Sequence, residues 1–224
     1  MKALILGIPG SGTSYFADLL SHLGYSDCAP TFSRVDYGYP THESLLGRAV
    51  NRIAIGHSGQ SWPVERWGDQ YRPRNPFNDP ELHHVADYFV AMQDMHFRRW
   101  YFKNPESLMF FDTVWKRHQF DHVIGVYRHA DESVQTMHSN QVRGARRRSW
   151  LKWSRRLIKH STILVRFPDD AGRLCAALGE TLPEKFSTVP GFPTHKHLNP
   201  PRDWATEVWG QLEEHRWNTL ATRT

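Results

Sequence analysis

The chain has 224 residues, of which 39% are hydrophobic and 13% aromatic, and this aromatic content excludes an intrinsically disordered protein. Its length fits one large domain, and no apolar run approaches the ~20 residues that cross a bilayer. Cys28 and Cys175 are too few for a disulfide framework or a cysteine-only zinc site. The apolar run after Lys2 is too short for a secretory signal, so we expect a cytoplasmic, reduced protein.

The formal charge of +5 has an uneven distribution along the chain. No acidic residue lies between Glu132 and Asp169. That stretch carries nine basic residues, which are Arg143, Arg146, Arg147, Arg148, Lys152, Arg155, Arg156, Lys159 and Arg166. A local excess of this kind is typical of a site for a phosphate or a polyanion, and also of a solvated basic helix.

Apolar runs alternate with amphipathic segments along the chain. We predict strands over 2–8, 100–103, 122–127 and 162–166. We predict helices over 13–23, 42–55, 81–98, 107–117, 149–159, 170–178 and 203–218, and one more helix that starts at about residue 131. The stretch 59–80, which mixes prolines with aromatic residues, is predicted to be a long ordered loop. The alternation predicts one α/β domain over 1–224, in which helices cover both faces of a central parallel sheet in three layers.

A glycine-rich loop joins the first predicted strand to the first helix. Its sequence is Gly7-Ile8-Pro9-Gly10-Ser11-Gly12-Thr13-Ser14. Glycines let successive backbone N–H groups face one point, and the helix N-terminus adds partial positive charge. The pattern therefore predicts a phosphate site, with a tight turn that binds no ligand as the alternative. The spacing fits a Walker A loop except that Thr13 stands where the lysine belongs.

A second phosphate motif follows the strand 122–127. Arg128 comes at the carboxyl end of that strand, where open α/β sheets bind ligands, and Thr136 lies two turns into the next helix. Together the two junctions resemble the sulfotransferases that use 3′-phosphoadenosine 5′-phosphosulfate (PAPS). Pro9–Ser14 is similar to their 5′-phosphosulfate loop, and Arg128–Thr136 to their 3′-phosphate motif.

Further stretches carry the same resemblance in the same order along the chain. Trp100–Pro105 is similar to the W-x-x-K-D-P element of bacterial members, and His42-Glu43 with Asn51 to their acidic-then-Asn stretch. Trp153 and the strand end Arg166–Asp170 also have counterparts there. The sequence departs from the family's pattern at Gly10, Asn104, Glu106, Ala130 and Thr136. A basic residue is usual at the first of these, and Lys103 or an arginine of 143–156 is expected to supply its charge.

The resemblance implies a P-loop NTPase-like fold and transfer of a sulfuryl group from PAPS to a hydroxyl or amine of a carbohydrate or small molecule. The product nucleotide would be 3′-phosphoadenosine 5′-phosphate (PAP), and the resemblance implies no metal. Lys103 would neutralise the leaving group, and Glu43 would act as general base, with His42 and His57 as further candidates. The nucleotide would be held by Pro9, Gly10, Ser11, Gly12, Thr13 and Ser14 at its 5′-phosphate, and by Arg128 and Thr136 at its 3′-phosphate. The loop 59–80 would lie on the acceptor side.

Each candidate residue also has an ordinary structural interpretation. Glu43 fits the first turn of a helix, where an acidic residue favours the helix dipole. Lys103 fits an exposed surface position, and Arg128 fits an ion pair with Asp131 or Glu132. Two other functions therefore stay open. One is a magnesium-dependent P-loop kinase or nucleotidase, and the other is a non-catalytic protein that binds a nucleotide or glycan.

Metal and nucleic-acid functions are not expected. The pairs His83-His84 and His195-x-His197 lack the i, i+4 helical spacing of zinc ligands. The basic stretch contains Trp150, Trp153 and Leu157 at spacings of three and four residues, which indicates a face turned to the core rather than to bases. The same arginines would suit an anionic acceptor.

Overall fold

The computed structural model describes residues 1–8, 10–28, 31–32, 35–36, 39–40, 42–55, 80–136, 143–187, 201 and 203–221. The predictions for Pro9, for His57 and for 59–79 lie outside these residues, as does the side chain of Thr136. The strands are β1 (Lys2–Gly7), β2 (Thr31–Phe32), β3 (Val35–Asp36), β4 (Tyr39–Pro40), β5 (Glu43–Ser44), β6 (Trp100–Lys103), β7 (His122–Tyr127) and β8 (Ile163–Arg166). The α-helices are α1 (Thr13–His22), α2 (Leu45–Ile55), α3 (Pro80–His96), α4 (Ala130–Thr136), α5 (Arg143–His160), α6 (Ala171–Ala177) and α7 (Thr206–Ala221).

The protein has an α/β fold built on a central sheet of four parallel strands. Their order in the sheet is β6–β1–β7–β8, so β1 lies between β6 and β7. Ile5 of β1 is level with Lys103 on one side and with Ile124 on the other. The predicted strands are confirmed to within one residue at their ends, because their apolar runs are buried on both faces. Two short antiparallel pairs, β2 with β5 and β3 with β4, lie outside this sheet.

Helices pack against both faces of the sheet. Side chains alternate along a strand, so Leu4 and Leu6 of β1 face one way and Ala3 and Ile5 face the other. The first face packs against buried residues of α2, α3, α5 and α7. The opposite face packs against α1, α6 and Phe186. This arrangement is compatible with the predicted three layers. Within the described parts of the chain, no helix is both long and apolar enough to cross a membrane.

The prediction of a single helix over 107–117 is wrong. The segment forms a 3₁₀ turn at Pro105–Leu108, a π-helical turn at Phe111–Trp115 and a further 3₁₀ turn at Lys116–His118. The first turn begins two residues early because the Asn104 side chain accepts a hydrogen bond from the backbone N–H of Glu106 at 2.9 Å. The helical winding then changes twice, and the apolar side chains of the segment all reach the core.

Three further predicted helices differ from the structure at their starts. The segment predicted as a helix from residue 42 begins as the short strand β5, which pairs with β2, and the helix α2 starts only at Leu45. The backbone φ of His42 is +51°, which is incompatible with a right-handed helix at that residue. Helix α5 begins at Arg143, six residues before the predicted start, so the basic run lies on the helix rather than before it. The predicted helix 203–218 is a 3₁₀ turn, Asp203–Ala205, followed by α7.

Candidate functional site

The carboxyl ends of three neighbouring strands bring the predicted site residues to one edge of the sheet. Strand β1 ends at Gly7, β6 at Lys103 and β7 at Tyr127, which Arg128 follows. In the register of the sheet, Gly7 is level with Val126, and Ile5 with Lys103. Ligands of parallel α/β sheets bind at this edge. The sheet therefore places the glycine-rich loop between the two other predicted sites.

The glycine-rich loop is a tight turn that feeds α1. The backbone N–H of Ser11 donates to the carbonyl of Ile8 at 2.9 Å, and Gly10 and Gly12 have φ values of 81° and 93°. A Cβ on Gly12 would also lie 2.2 Å from the ring of Phe167. Glycine is required there for conformation and for space. The loop presents the N-terminus of a ten-residue helix, which favours an anion through its partial positive charge.

Lys103 reaches this helix N-terminus from the neighbouring strand. Its Nζ lies 3.3 Å from Ser14 Oγ and 3.1 Å from Glu43 Oε1. The side chain is only 3% exposed, so the interpretation as an exposed surface lysine is wrong. Ser14 on α1 and Glu43 on β5 therefore both contact the ammonium group of Lys103 on β6, although the three residues were predicted from separate motifs. Strand β6 fixes the origin of the side chain, and the contacts with Ser14 and Glu43 hold its ammonium group.

The charges of Lys103 and Glu43 offset each other at this position. A buried ammonium is costly unless a counter-charge and hydrogen bonds compensate for lost hydration. Glu43 is 23% exposed and provides the counter-charge from the solvent side. An anion bound at the glycine-rich loop would compete with Glu43 for the same ammonium. The carboxylate would then be available to accept a proton.

Arg128 is the second cation at this edge of the sheet. Its Nε donates to Glu132 Oε2 at 2.7 Å, which is one of the two ion pairs expected from the sequence. Its guanidinium carbon also lies 5.5 Å from the centre of the Phe167 ring, the same ring that packs on Gly12. Phe167 therefore connects the two predicted phosphate sites. Thr136 lies at the end of α4, eight residues beyond Arg128.

The structure does not bring His42 to Lys103. Its imidazole is buried, with Nδ1 3.3 Å from Asp27 Oδ2 and Nε2 3.6 Å from Asp18 Oδ1. His42 has the positive φ of +51° and precedes strand β5, and its partners on α1 and at Asp27 differ from the partner of Glu43, which is Lys103. The hydrogen bond with His42 lowers the pKa of Asp27, although burial opposes this shift. His42 therefore holds the segment before Glu43 against α1.

Asp18 is a residue that the sequence analysis missed. It lies on α1 and is buried, yet it contacts His42 and receives a 2.8 Å ion pair from Lys185 Nζ. The available signal was an acidic residue inside the apolar run Phe16-Ala17-Asp18-Leu19-Leu20. A charged side chain on the buried face of a helix requires partners from elsewhere in the fold. Those partners come from distant parts of the chain and cannot be identified from spacing.

The comparisons with known proteins assign no family. No family model matches this chain, and no curated protein or solved structure matches it. In the described residue ranges, no group of three or more His, Cys, Asp or Glu side chains is arranged to hold a metal ion. The features of this chain that bear on function are therefore the side chains at the carboxyl edge of the sheet.

Proposed function

We propose that the chain is a PAPS-dependent sulfotransferase. The observation that carries this proposal is the contact of Lys103 Nζ with Ser14 Oγ, at 3.3 Å, at the N-terminus of α1. A buried ammonium beside hydroxyl groups and backbone N–H groups suits the bridge between a phosphate and a transferring sulfuryl group. The α/β fold and the position of this contact at the carboxyl edge of the sheet also support the proposal.

The two ends of the nucleotide have separate sites in this proposal. The glycine-rich loop and Ser14 bind the 5′-phosphosulfate, because the helix N-terminus favours a negative charge. Arg128 binds the 3′-phosphate through charge-assisted hydrogen bonds, together with Thr136. When it binds, the 3′-phosphate replaces Glu132, at least in part, as the partner of the Arg128 guanidinium, because both are anions that bind this group.

The chemical step is an in-line displacement at sulfur. An acceptor oxygen or nitrogen attacks, a new bond to sulfur forms, and the bond from sulfur to the bridging oxygen breaks. The electron pair of that bond stays on the 5′-phosphate of PAP, where Lys103 neutralises the developing charge. Glu43 takes the proton of the acceptor as general base. The acceptor in this proposal is a hydroxyl or amine of a carbohydrate or small molecule.

A P-loop kinase is the second candidate, and one observation favours it. The loop carries Thr13 in place of the Walker A lysine, and Lys103 supplies an ammonium to the same loop from another strand. Such an ammonium would also suit the β- and γ-phosphates of a nucleoside triphosphate. The two candidates differ in their ligands: PAPS needs a site for a 3′-phosphate, whereas a kinase needs a magnesium complex of ATP.

The proposal is tested by measuring the release of PAP from PAPS, with chromatography as the method of detection. We expect Lys103→Met to lower the rate by a factor of about 100 or more, which is the size of effect seen when one charge-stabilising donor is removed. Lys116→Met is the matched control, because Lys116 is an exposed lysine in the 3₁₀ turn Lys116–His118. An unchanged rate in Lys103→Met, or no PAP release by the unaltered protein with any acceptor tried, would contradict the proposal.

A further inference from the structure

We infer that Asn51 is a positioning residue for the Glu43–Lys103 pair. This inference rests on the proposed function only in giving the pair a role in sulfuryl transfer. Asn51 is fully buried on α2, and both ends of its amide are used. Its Nδ2 donates to Ser107 Oγ at 3.1 Å, and its Oδ1 accepts from Trp115 Nε1 at 3.0 Å.

The amide of Asn51 links the two chain segments that carry the pair. Helix α2 begins two residues after Glu43, and the turn Pro105–Leu108 begins two residues after Lys103. Ser107 lies in that turn, so its hydrogen bond with Asn51 joins the carboxylate segment to the ammonium segment. The two segments are 56 residues apart in sequence at this contact.

A close contact one helical turn earlier leaves little room for α2 to move. A Cβ on Gly47 would lie 2.1 Å from the ring of Phe102, so α2 lies directly against β6 at this point. Gly47 and Asn51 are four residues apart and therefore share a face of the helix. The start of the helix is fixed as well, because the backbone N–H of Gly47 donates to Ser44 Oγ at 3.2 Å. Contact at Gly47 sets the distance of α2 from β6, and the Asn51 amide sets its rotation.

If the side chain at position 51 only filled space in the core, an amide would not be needed there. Burying a polar group without partners is unfavourable, whereas an apolar residue of similar size would pack without that cost. The two hydrogen bonds of Asn51 are directional, so they define one orientation of α2 relative to the turn after Lys103. The distance of 3.1 Å between Glu43 and Lys103 depends on that orientation.

The experiment measures the coupling between Glu43 and Lys103 by urea unfolding of Glu43→Gln, Lys103→Met and the double variant. The same cycle is repeated with Ser107→Ala, which removes the bond from Asn51 to the Lys103 segment. Thr219→Val is the matched control, since it removes a hydroxyl that bonds the backbone N–H of Leu164 at 3.1 Å in another part of the fold.

We expect the coupling, expressed as a factor in the unfolding equilibrium constant, to fall at least threefold with Ser107→Ala and to stay within twofold with Thr219→Val. An equal coupling in both backgrounds would overturn the positioning role. Asn51→Leu removes both hydrogen bonds of the amide, so we expect the coupling to fall at least threefold in this variant too, and an unchanged coupling would overturn the positioning role.

Calorimetric titration of the unaltered protein with PAP separates the two proposals. Absence of PAP binding with a coupling that depends on Ser107 would overturn the proposed function alone, and PAP binding with unchanged coupling would overturn the positioning role alone.

Discussion

At the scale of single residues, the contact of Lys103 with Glu43 joins two of the predicted site residues at 3.1 Å. The partly exposed carboxylate of Glu43 offsets the charge of the buried lysine, and an anion at the glycine-rich loop would compete with that carboxylate. The sequence predicted both residues as site candidates. It could not predict their 3.1 Å separation, because β5 and β6 are brought together by contacts of residues far apart in the chain.

Glu43→Gln separates catalysis from binding. We expect turnover of PAPS to fall by a factor of roughly 10² to 10⁴, because a general base contributes that much. PAP affinity is expected to stay equal or to rise, since the carboxylate competes with the nucleotide for Lys103. Rate and affinity are measured on the same preparation, with Glu184→Gln, an exposed glutamate, as control. An unchanged rate would show that Glu43 is not the base.

His118 gives the protein a defined sensitivity to acid. Burial lowers its pKa to about 4, and Asp87 only partly opposes this effect. The unfolded chain, with an ordinary histidine pKa of 6.5, takes up a proton before the folded protein does. The free energy of unfolding therefore decreases as the pH falls from 6.5 towards 4, by about 2 kcal/mol at pH 5.

Urea unfolding at pH 7.5 and pH 5 measures this loss. His118→Gln should retain more of its stability at pH 5 than the unaltered protein, because its side chain does not titrate. The exposed His96 provides the control variant His96→Gln, which should lose as much stability as the unaltered protein. An equal loss in all three proteins would contradict the assignment. Burial lowers the pKa of His160 as well, so a residual loss is expected in His118→Gln.

At the scale of elements, the sequence was most informative where a strand is covered on both faces. The continuous apolar runs of β1, β6, β7 and β8 could be identified without any tertiary information. The region from Pro105 to His118 could not, because its winding follows the shape of the core rather than a regular helical period. The same limitation applies to β5, a two-residue strand whose existence depends on a distant partner.

The C-terminal helix α7 is attached to the sheet by a buried ion pair. Arg216 is 4% exposed and forms two hydrogen bonds with Asp170, whose Oδ2 also accepts from the backbone N–H of Arg166 at 2.7 Å. Burial alone would lower the pKa of Arg216, but the hydrogen bonds with Asp170 raise it above its usual value. This contact joins α7 to the chain segment that directly follows β8.

We expect Arg216→Met to lower the free energy of unfolding by about 3 to 5 kcal/mol, because the carboxylate of Asp170 is left buried with less compensation. Arg117→Met is the control: its pair with Asp87 is about half exposed on both sides, and such pairs contribute roughly 0 to 1 kcal/mol. Urea unfolding near pH 7.5 measures both values. Similar losses in the two variants would contradict the role given to the buried pair.

At the scale of the whole molecule, the parallel sheet explains why residues far apart in sequence meet at one edge. Parallel strands end at Gly7 and at Lys103, and Arg128 directly follows a third. Their positions at one edge of the sheet could therefore be expected once the α/β class was recognised. The sequence could not reveal that His42 contacts Asp18 and Asp27, whereas Glu43 contacts Lys103. Nor could it reveal the contact of Phe167 with both Gly12 and Arg128, which depends on the packing of β8 beside β7.

A calorimetric titration of the unaltered protein with PAP, with adenosine 5′-monophosphate and with ATP plus magnesium distinguishes the sulfotransferase from the kinase. We expect saturable 1:1 binding of PAP. Adenosine 5′-monophosphate should bind at least tenfold more weakly, because it lacks the 3′-phosphate that we propose Arg128 binds, and ATP with magnesium should not bind more tightly than PAP. Selective binding of ATP that depends on magnesium would contradict the account and favour the kinase.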